Sequence, residues 1–273
     1  MIYQVCIDIL FLSLSFHCLS YIGTLIQSNK PINNAHLALK RLIDAKVPFR
    51  ICSNASKQSH QCVLSDLQSV LNTPIQNDYV FTSISSCKSL VESQSLNPFL
   101  ILSDSCIKDF KTYSEPYDSV VIGLAPTKLN YENMNKAFRI LLEPNNKLVV
   151  THTSKYFSDK DNQLSLGPGG FSKCLQEVLP HNLEPIICGK PTESFYKLCL
   201  SSLKTDNVTE NDWSDVAIIG DDAISDLGGG ASDLGLKKIL VKTGKYRLGD
   251  ESKVDNLHAV HDSFTDFVDA ILQ

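Results

Sequence analysis

The densest group of candidate ligands in the chain follows the apolar segment DVAIIG at residues 215–220. Asp221 and Asp222 come directly after this segment, and Asp226 follows four residues later. Carboxylates this close together at the tip of a strand repel one another unless a hard cation neutralises them. Mg²⁺ accepts carboxylate oxygens and keeps its other positions for water or phosphate. The pattern therefore favours a Mg²⁺ site at Asp221 and Asp226 over a solvated acidic loop.

A second group lies in RICSNASK, residues 50–57, where an apolar segment ends in Ser53 and Asn54. Their hydroxyl, amide and backbone N–H groups are suited to holding a phosphate oxygen. Serine and asparagine also cap ordinary helices. Both interpretations remain open for these two residues when they are considered alone.

A third candidate is Lys190 in PIICGKPTESFY, residues 185–196. It follows an apolar segment, and Pro191 prevents that segment from continuing as a hydrogen-bonded strand. A lysine at a strand end could neutralise the charge on a transferring phosphoryl group. Taken alone, it could equally be a surface lysine.

These groups must be positioned by the elements that precede them. The apolar patterns predict strands at 99–102, 119–124, 147–151, 185–188, 215–220 and 237–241, with a further strand in VPFRICSN. Helical spacing of apolar residues predicts helices at 33–45, 130–142, 170–179, 192–202 and 264–272, and another that contains Leu64, Leu67 and Leu71. This alternation is typical of α/β proteins with a parallel sheet, in which ligands bind at the carboxyl ends of the strands.

Taken in chain order, Ser53, Lys190 and GDDAISD resemble the second, third and fourth motifs of the haloacid dehalogenase (HAD) superfamily of phosphatases. The resemblance extends across nearly the whole chain. It implies an α/β fold with a Rossmann-like core, residues 1–83 and 185–273, and an inserted α/β cap of the C2 type, residues 84–184. Dimerisation through the cap is also known among similar proteins.

The resemblance implies a Mg²⁺-dependent phosphatase that acts on a small phosphorylated substrate through an aspartyl-phosphate. It assigns catalysis to Asp8 and Lys190, and phosphate binding to Ser53, Asn54 and Lys190. It assigns Mg²⁺ binding to Asp8, Asp221 and Asp226.

The first motif of the family, Asp-x-(Asp/Ser)-Gly-Thr, is not continuous in this chain. YQVCIDI, residues 3–9, is predicted as the first strand ending at Asp8, but Gly-Thr-Leu begins only at Gly23. Residues 10–22 form an anomalous apolar insertion, and counting back from Gly23 puts Ser20 in the place of the nucleophile. The insertion could loop out and leave Asp8 in the site, it could disrupt the catalytic loop, or it could be an artefact of the gene model. A neutral serine hydroxyl would not replace the carboxylate.

Composition narrows the remaining classes of function. A net charge of −5 without a basic cluster argues against nucleic-acid binding. The first 20 residues are apolar, but Asp8 and the absence of Lys or Arg before the apolar run argue against a signal peptide or membrane span. Nine cysteines without a C-x-x-C pattern indicate reduced thiols in a cytoplasmic protein. The alternative to a phosphatase is a non-catalytic protein that binds phosphate or Mg²⁺ and acts through a partner.

Overall fold

A computed structural model of the protein describes residues 16–158, 163–206 and 209–272. The strands are β1 (Phe16–Ser20), β2 (Ile26–Gln27), β3 (Lys30–Pro31), β4 (Phe49–Ser53), β5 (Val80–Thr82), β6 (Pro98–Ile101), β7 (Ser119–Ile122), β8 (Lys147–Val150), β9 (Tyr156–Ser158), β10 (Leu164–Leu166), β11 (Ile186–Ile187), β12 (Val216–Gly220), β13 (Lys237–Val241) and β14 (Leu257–His261). The helices are α1 (Ala35–Asp44), α2 (His60–Leu71), α3 (Ser83–Ser93), α4 (Asp104–Ile107), α5 (Tyr131–Leu141), α6 (Pro168–Val178), α7 (Glu193–Ser201), α8 (Gly230–Asp233) and α9 (Phe264–Ile271).

The larger sheet has six strands in the order β14-β13-β12-β1-β4-β5, and each neighbouring pair is parallel. One apolar cluster packs α1, α2 and α9 against one face, and a second packs α7 and α8 against the other. A sheet covered on both faces needs strands that are apolar throughout, as Val216–Gly220 and Lys237–Val241 nearly are. The predicted α/β fold with a parallel sheet is confirmed.

The smaller sheet has four parallel strands in the order β11-β8-β7-β6. Helices α5 and α6 cover one face, and α3 and α4 cover the other. Ile186 and Ile187 pair with Val149 and Val150, so this second sheet extends past residue 184. The strand predicted at 185–188 is thus present, and the expected boundary between cap and core at 184/185 stays a prediction.

The first strand of the larger sheet is the main correction to the sequence analysis. Phe16–Ser20 pairs with β12 on one side and with β4 on the other, at the centre of the sheet. Of the three possibilities left open for residues 10–22, looping out does not apply to residues 16–20. Cys18 faces the α7 side and Leu19 the α1 side, so the segment has the two apolar faces that a central strand requires. The strand predicted at residues 3–9, which includes Asp8, lies outside the described residues.

The other predicted elements agree closely with the structure. All the helices predicted from apolar spacing are present, and their ends lie within two residues of the expected positions. Strands β2, β3, β5, β9, β10 and β14 were not predicted. The first five have only two or three residues each, and LHAVH of β14 mixes polar with apolar residues. Every helix in the described part of the chain is too short or too polar to cross a lipid bilayer.

The central strand carries a histidine that should make folding sensitive to acid. The side chain of His17 is completely buried, with its ring edge-on to Phe267 at a centroid distance of 5.3 Å. Burial lowers the pKa of His17 to about 4 from the ordinary value of 6.5. Between pH 6.5 and 4 the unfolded chain therefore binds a proton that the folded chain excludes, and stability falls as the pH drops.

We expect His17→Phe to weaken this acid sensitivity. Between pH 7.5 and 4.5 the free energy of unfolding should fall by about 2–3 kcal/mol more in the unaltered chain than in the variant. Urea denaturation followed by circular dichroism at the two pH values measures the difference. Equal losses in the two proteins would contradict the prediction.

Candidate active site

The site lies where β1, β4 and β12 of the larger sheet end at the same edge. Their last residues, Ser20, Ser53 and Gly220, are all buried. Parallel strands bring their carboxyl ends together, so residues far apart in the sequence converge here. Each predicted site residue among the described ones belongs to one of these strand ends or to the segment after β11.

Lys190 is the central cation of the site. Its side chain is almost fully buried, and its Nζ donates to Ser20 Oγ at 3.0 Å and to the carbonyl oxygen of Cys52 at 3.1 Å. The third donation goes to Asp226 Oδ1 at 2.6 Å. All three ammonium donors are thus used, and the ion pair with Asp226 compensates for the loss of hydration. Lys190 is not the surface lysine that its sequence context also allowed.

Asn54 holds the segment that carries this lysine. Its Nδ2 donates to the carbonyl oxygen of Lys190 at 3.0 Å, and its Oδ1 accepts from the Lys190 N–H at 2.8 Å. A Cβ on Gly189 would lie 2.5 Å from Asn54 Oδ1, so the preceding position needs glycine. The structure thus gives Asn54 a positioning contact, and its predicted phosphate contact stays a prediction. Ser53 Oγ accepts from the Ala55 N–H at 3.0 Å and keeps its own hydrogen for an acceptor.

Asp221 is a buried carboxylate clamped by its neighbours. Its Oδ1 accepts from Thr24 Oγ1 at 3.0 Å, and its Oδ2 accepts from the Lys245 N–H at 2.8 Å. A Cβ on Gly23 or Gly244 would come within 2.1 or 2.2 Å of Oδ2, and both glycines have a positive φ. The Gly-Thr pair therefore serves Asp221 directly: the glycine leaves room for the carboxylate and the threonine orients it.

Asp221 forms no ion pair within the described residues, and Lys190, which pairs with Asp226, supplies only part of the compensating positive charge. Burial, reinforced by the nearby negative charge of Asp226, raises the pKa of Asp221 from 3.8 to about 7. A divalent cation at its remaining lone pairs would supply that charge. Mg²⁺ is commonly held by one or two carboxylates together with water and substrate phosphate, so this donor set fits the ion. Asp226, the other predicted ligand, is ion-paired with Lys190, and Asp8 lies outside the described residues.

Asp222 has the opposite electrostatic environment. Its Oδ1 accepts from the N–H groups of Ile224 and Ser225, and its Oδ2 accepts from Lys245 Nζ at 2.8 Å. Burial acts to raise the pKa of Asp222, but Lys245 and the two N–H donors hold it below its usual range. Asp222 therefore fixes the loop, and Asp221 stays the predicted Mg²⁺ ligand.

We expect Asp221→Asn to stabilise the metal-free protein at pH 8. The pKa of Asp221 is raised in the folded chain, so between pH 3.8 and 7 the folded chain binds a proton that the unfolded chain has lost. Above pH 7 Asp221 is ionised in both states, and its buried charge destabilises the fold. Removing the charge should raise the free energy of unfolding by about 2–4 kcal/mol. Thermal melts with and without Mg²⁺ should also show that the ion stabilises the unaltered chain and not the variant.

Asp222→Asn is the matched control, and it should lower the melting temperature because it removes the charge that pairs with Lys245. If the two variants shift stability in the same direction at pH 8, our description of these neighbouring carboxylates is incorrect.

The smaller sheet contributes a histidine that sequence reasoning missed. His152, just beyond β8, contacts Ser56 Oγ through Nε2 at 3.0 Å, and Ser56 Oγ also accepts from the Leu124 N–H. Burial, together with the positive charges of Lys245 and Lys190, lowers the pKa of His152 to about 4. Both lysines therefore lie near His152, and each is also ion-paired with a carboxylate of the site. The signal available in the sequence was the polar THTS directly after the strand KLVV.

Comparison with known proteins agrees with this geometry. Residues 18–114 match the family described as haloacid dehalogenase-like hydrolase, and residues 187–267 match the HAD-hydrolase-like family. The chain is 38% identical over 254 residues to human haloacid dehalogenase-like hydrolase domain-containing protein 2, covering 92% of this chain and 93% of the relative. The chain belongs to the haloacid dehalogenase-like hydrolases.

Other relatives of this HAD-like hydrolase are more distant. The phospholysine phosphohistidine inorganic pyrophosphate phosphatase of Danio rerio is 30% identical over 247 residues, covering 89% of this chain and 87% of that protein. The fold is similar to a 4-nitrophenylphosphatase from Thermotoga maritima, with a TM-score of 0.83 and 19% identity over 96% of this chain and 98% of the other. A p-nitrophenyl phosphatase from Archaeoglobus fulgidus has a TM-score of 0.81 at 20% identity, covering 94% and 98% of the two chains.

For a HAD-like hydrolase, the residue at the end of β1 is the one to compare with the first family motif. The first family match begins at Cys18, inside β1, and Ser20 is the residue that precedes Gly23 by three. Ser20 therefore occupies the place where the sequence analysis expected Asp8. The role of Asp8 itself stays a prediction.

Proposed function

We propose that this protein is a Mg²⁺-dependent phosphatase of small phosphate monoesters, and that full turnover requires a carboxylate at the end of β1. The observation that carries the proposal is the buried Lys190 ammonium, 3.0 Å from Ser20 Oγ and 2.6 Å from Asp226. A buried cation at converging strand ends, with Asp221 beside it, is suited to a phosphoryl group and a divalent ion.

The proposed reaction has two steps. The carboxylate at the end of β1 attacks phosphorus, the P–O bond to the alcohol or phenol breaks, and the leaving oxygen takes a proton from water. Water then hydrolyses the acyl phosphate and releases inorganic phosphate, which regenerates the carboxylate. Mg²⁺, held by Asp221, would neutralise charge on the phosphoryl oxygens.

Three further residues of this chain would bind the phosphoryl group or position the residue that binds it. Lys190 would donate hydrogen bonds to a phosphoryl oxygen in place of its present contact with Ser20, and the Ser53 hydroxyl would donate to another. Asn54 would keep Lys190 in position through its two backbone contacts. Ile22 is 63% exposed where the family pattern has an acid or serine, so we infer that water protonates the leaving group.

Two segments of this chain could supply the central strand. FHCLS, residues 16–20, forms β1, and QVCID, residues 4–8, would take the same register if residues 10–21 were absent. In that shorter chain Asp8 replaces Ser20, Cys6 replaces Cys18 and Val5 replaces the buried His17. A β-branched apolar residue suits a buried central strand better than histidine does. The exchange therefore favours Asp8 as the nucleophile of the shorter form.

The test is the release of phosphate from p-nitrophenyl phosphate with Mg²⁺, comparing the full chain with a chain that lacks residues 10–21. We expect high activity in the shorter chain and low activity in the full chain. The matched control is the shorter chain with Asp8→Asn, which should be inactive while keeping its circular dichroism spectrum. A folded shorter chain without activity would favour a phosphate-binding protein without turnover and would overturn the proposal.

A further inference from the structure

Three buried thiols meet beneath the candidate active site. Cys18 on β1, Cys52 on β4 and Cys199 on α7 are fully shielded from solvent. The Cys52 and Cys199 sulfurs are 3.2 Å apart, and those of Cys18 and Cys199 are 3.7 Å apart. All three Sγ atoms lie within 4.8 Å of one another. The group is distinct from Asp221 and from the contacts of Lys190 with Ser20 and Asp226.

Sheet register accounts for the convergence. Cys18 pairs with Arg50 and Ser20 pairs with Cys52, so the two cysteines lie on the same face of adjacent strands. Helix α7 packs on that face and directs Cys199 between them. Because strands and helix belong to the rigid core, the three sulfurs are held in place without a ligand.

The spacing of the sulfurs suits a metal ion bound by three thiolates. A metal–sulfur length of about 2.3 Å in trigonal geometry puts the sulfurs about 4.0 Å apart. Two of the separations, 3.2 and 3.7 Å, are shorter than this value and the third is at most 4.8 Å, so the sulfurs would have to move slightly apart to bind an ion. Three valine or alanine side chains at this spacing would be ordinary core packing. Three sulfurs, by contrast, offer soft donor atoms at coordination distance.

Two buried cations lie near the cluster. Arg50 is buried on the same face, where its Nη2 donates to Asp206 Oδ2 at 2.7 Å, and Lys190 Nζ donates to the Cys52 carbonyl oxygen. Each cation is already paired with a carboxylate, Arg50 with Asp206 and Lys190 with Asp226, so the bound ion itself would balance most of the negative charge of the thiolates.

We propose that Cys18, Cys52 and Cys199 form a three-thiolate site for a soft, thiophilic metal ion. Hard Mg²⁺ prefers oxygen, so the site does not compete for the ion at Asp221. Within residues 16–158, 163–206 and 209–272, no histidine, aspartate or glutamate joins the cluster. The site therefore selects an ion that binds stably to three sulfur ligands. Cd²⁺ is a thiophilic ion of this class and serves as the probe.

Ion binding at this cluster would tie β1, β4 and α7 together beneath the phosphate pocket. Cys52 holds Lys190 through its carbonyl oxygen and is followed by Ser53, while Cys18 lies two residues before Ser20. A bound ion should therefore raise the melting temperature of the full chain. Binding also releases protons, because thiolate is the ligand.

The experiment uses the full chain with Cys6, Cys62 and Cys174 replaced by serine, to remove cysteines that are exposed or outside the described part. The protein is unfolded and refolded in a thiol-free reductant with Cd²⁺, because the cluster is closed to solvent. We expect one Cd²⁺ per chain, a cadmium–thiolate charge-transfer absorption, a ¹¹³Cd NMR shift in the range of three-sulfur coordination, and a higher melting temperature.

Single replacements then assign the ligands. Cys18→Ala, Cys52→Ala and Cys199→Ala should each abolish the absorption and the melting shift, whereas Cys87→Ala, at a buried cysteine next to the smaller sheet, should keep both. The proposal fails if the refolded background protein binds no Cd²⁺, if its ¹¹³Cd shift indicates oxygen or nitrogen ligands, or if the absorption survives all three replacements. Where a replacement prevents folding, the NMR shift of the background protein still reports whether the ion has three sulfur ligands.

Discussion

Replacing Ser20 by aspartate should raise the rate of p-nitrophenyl phosphate hydrolysis by the full chain about 10³-fold or more, because loss of a catalytic nucleophile costs rates of this order. Ser20 Oγ already lies 3.0 Å from Lys190 Nζ, at the end of the strand between β4 and β12. A carboxylate there could attack phosphorus and form an acyl phosphate, which a neutral serine hydroxyl cannot do. The initial rate with saturating Mg²⁺ measures the effect.

Ser20→Asp should also make the protein depend more strongly on Mg²⁺. The new carboxylate adds negative charge beside Asp221, whose pKa is already raised to about 7 by burial and by Asp226. Without the ion this charge should lower the melting temperature, and Mg²⁺ should restore it.

Ser20→Asn is the matched control, since it has the shape of aspartate without the charge, and its activity should stay at the level of the unaltered chain. Adding Asp8→Asn to Ser20→Asp should leave the gain in place. If Ser20→Asp folds, binds Mg²⁺ and hydrolyses no faster than Ser20→Asn, the end of β1 is not the position of the nucleophile.

Lys190→Met should destabilise the protein by about 3–5 kcal/mol, the usual cost of removing one partner from a buried ion pair. The side chains of Lys190 and Asp226 are 3% and 5% exposed, so water cannot take over the lost contact. The replacement would leave Asp226 Oδ1, Ser20 Oγ and the Cys52 carbonyl oxygen without their shared donor. Urea denaturation at pH 7.5 measures the cost.

A double-mutant cycle separates the ion pair from other effects of the substitution. Adding Asp226→Asn to Lys190→Met should recover part of the loss, because no uncompensated charge then remains buried. Lys88→Ala breaks the exposed pair with Glu92 and should cost less than about 1 kcal/mol. If Lys190→Met also costs less than about 1 kcal/mol, the ion pair of Lys190 and Asp226 is not buried as described. In Ser20→Asp, Lys190→Met should also abolish phosphate release.

Local patterns in the sequence were sufficient for the helices predicted from apolar spacing and for most of the longer strands. Apolar runs such as DVAIIG and KKILV indicate buried strands, and their alternation with amphipathic helices implies a parallel sheet. The same logic predicted that polar residues at strand ends would converge, as Ser53, Lys190 and Asp221 do. Polar contacts within the site could not be predicted from local patterns, because hydrogen bonds such as that from Asn54 to Lys190 join residues 136 apart in the chain.

Tertiary structure alone decided which segment fills the centre of the larger sheet. QVCID and FHCLS are both compatible with a strand, and local propensity favours the first. Phe16–Ser20 has the advantage of joining directly to the turn in which the Gly23 N–H donates to the Ile26 carbonyl oxygen and Thr24 reaches Asp221. Pairing with β4 and β12 is a contact between distant parts of the chain, and its energy cannot be read from any one of them. The sequence by itself thus determined an α/β fold with a parallel sheet and polar residues at one edge of it, whereas the packed sheet decided that Ser20 stands at that edge.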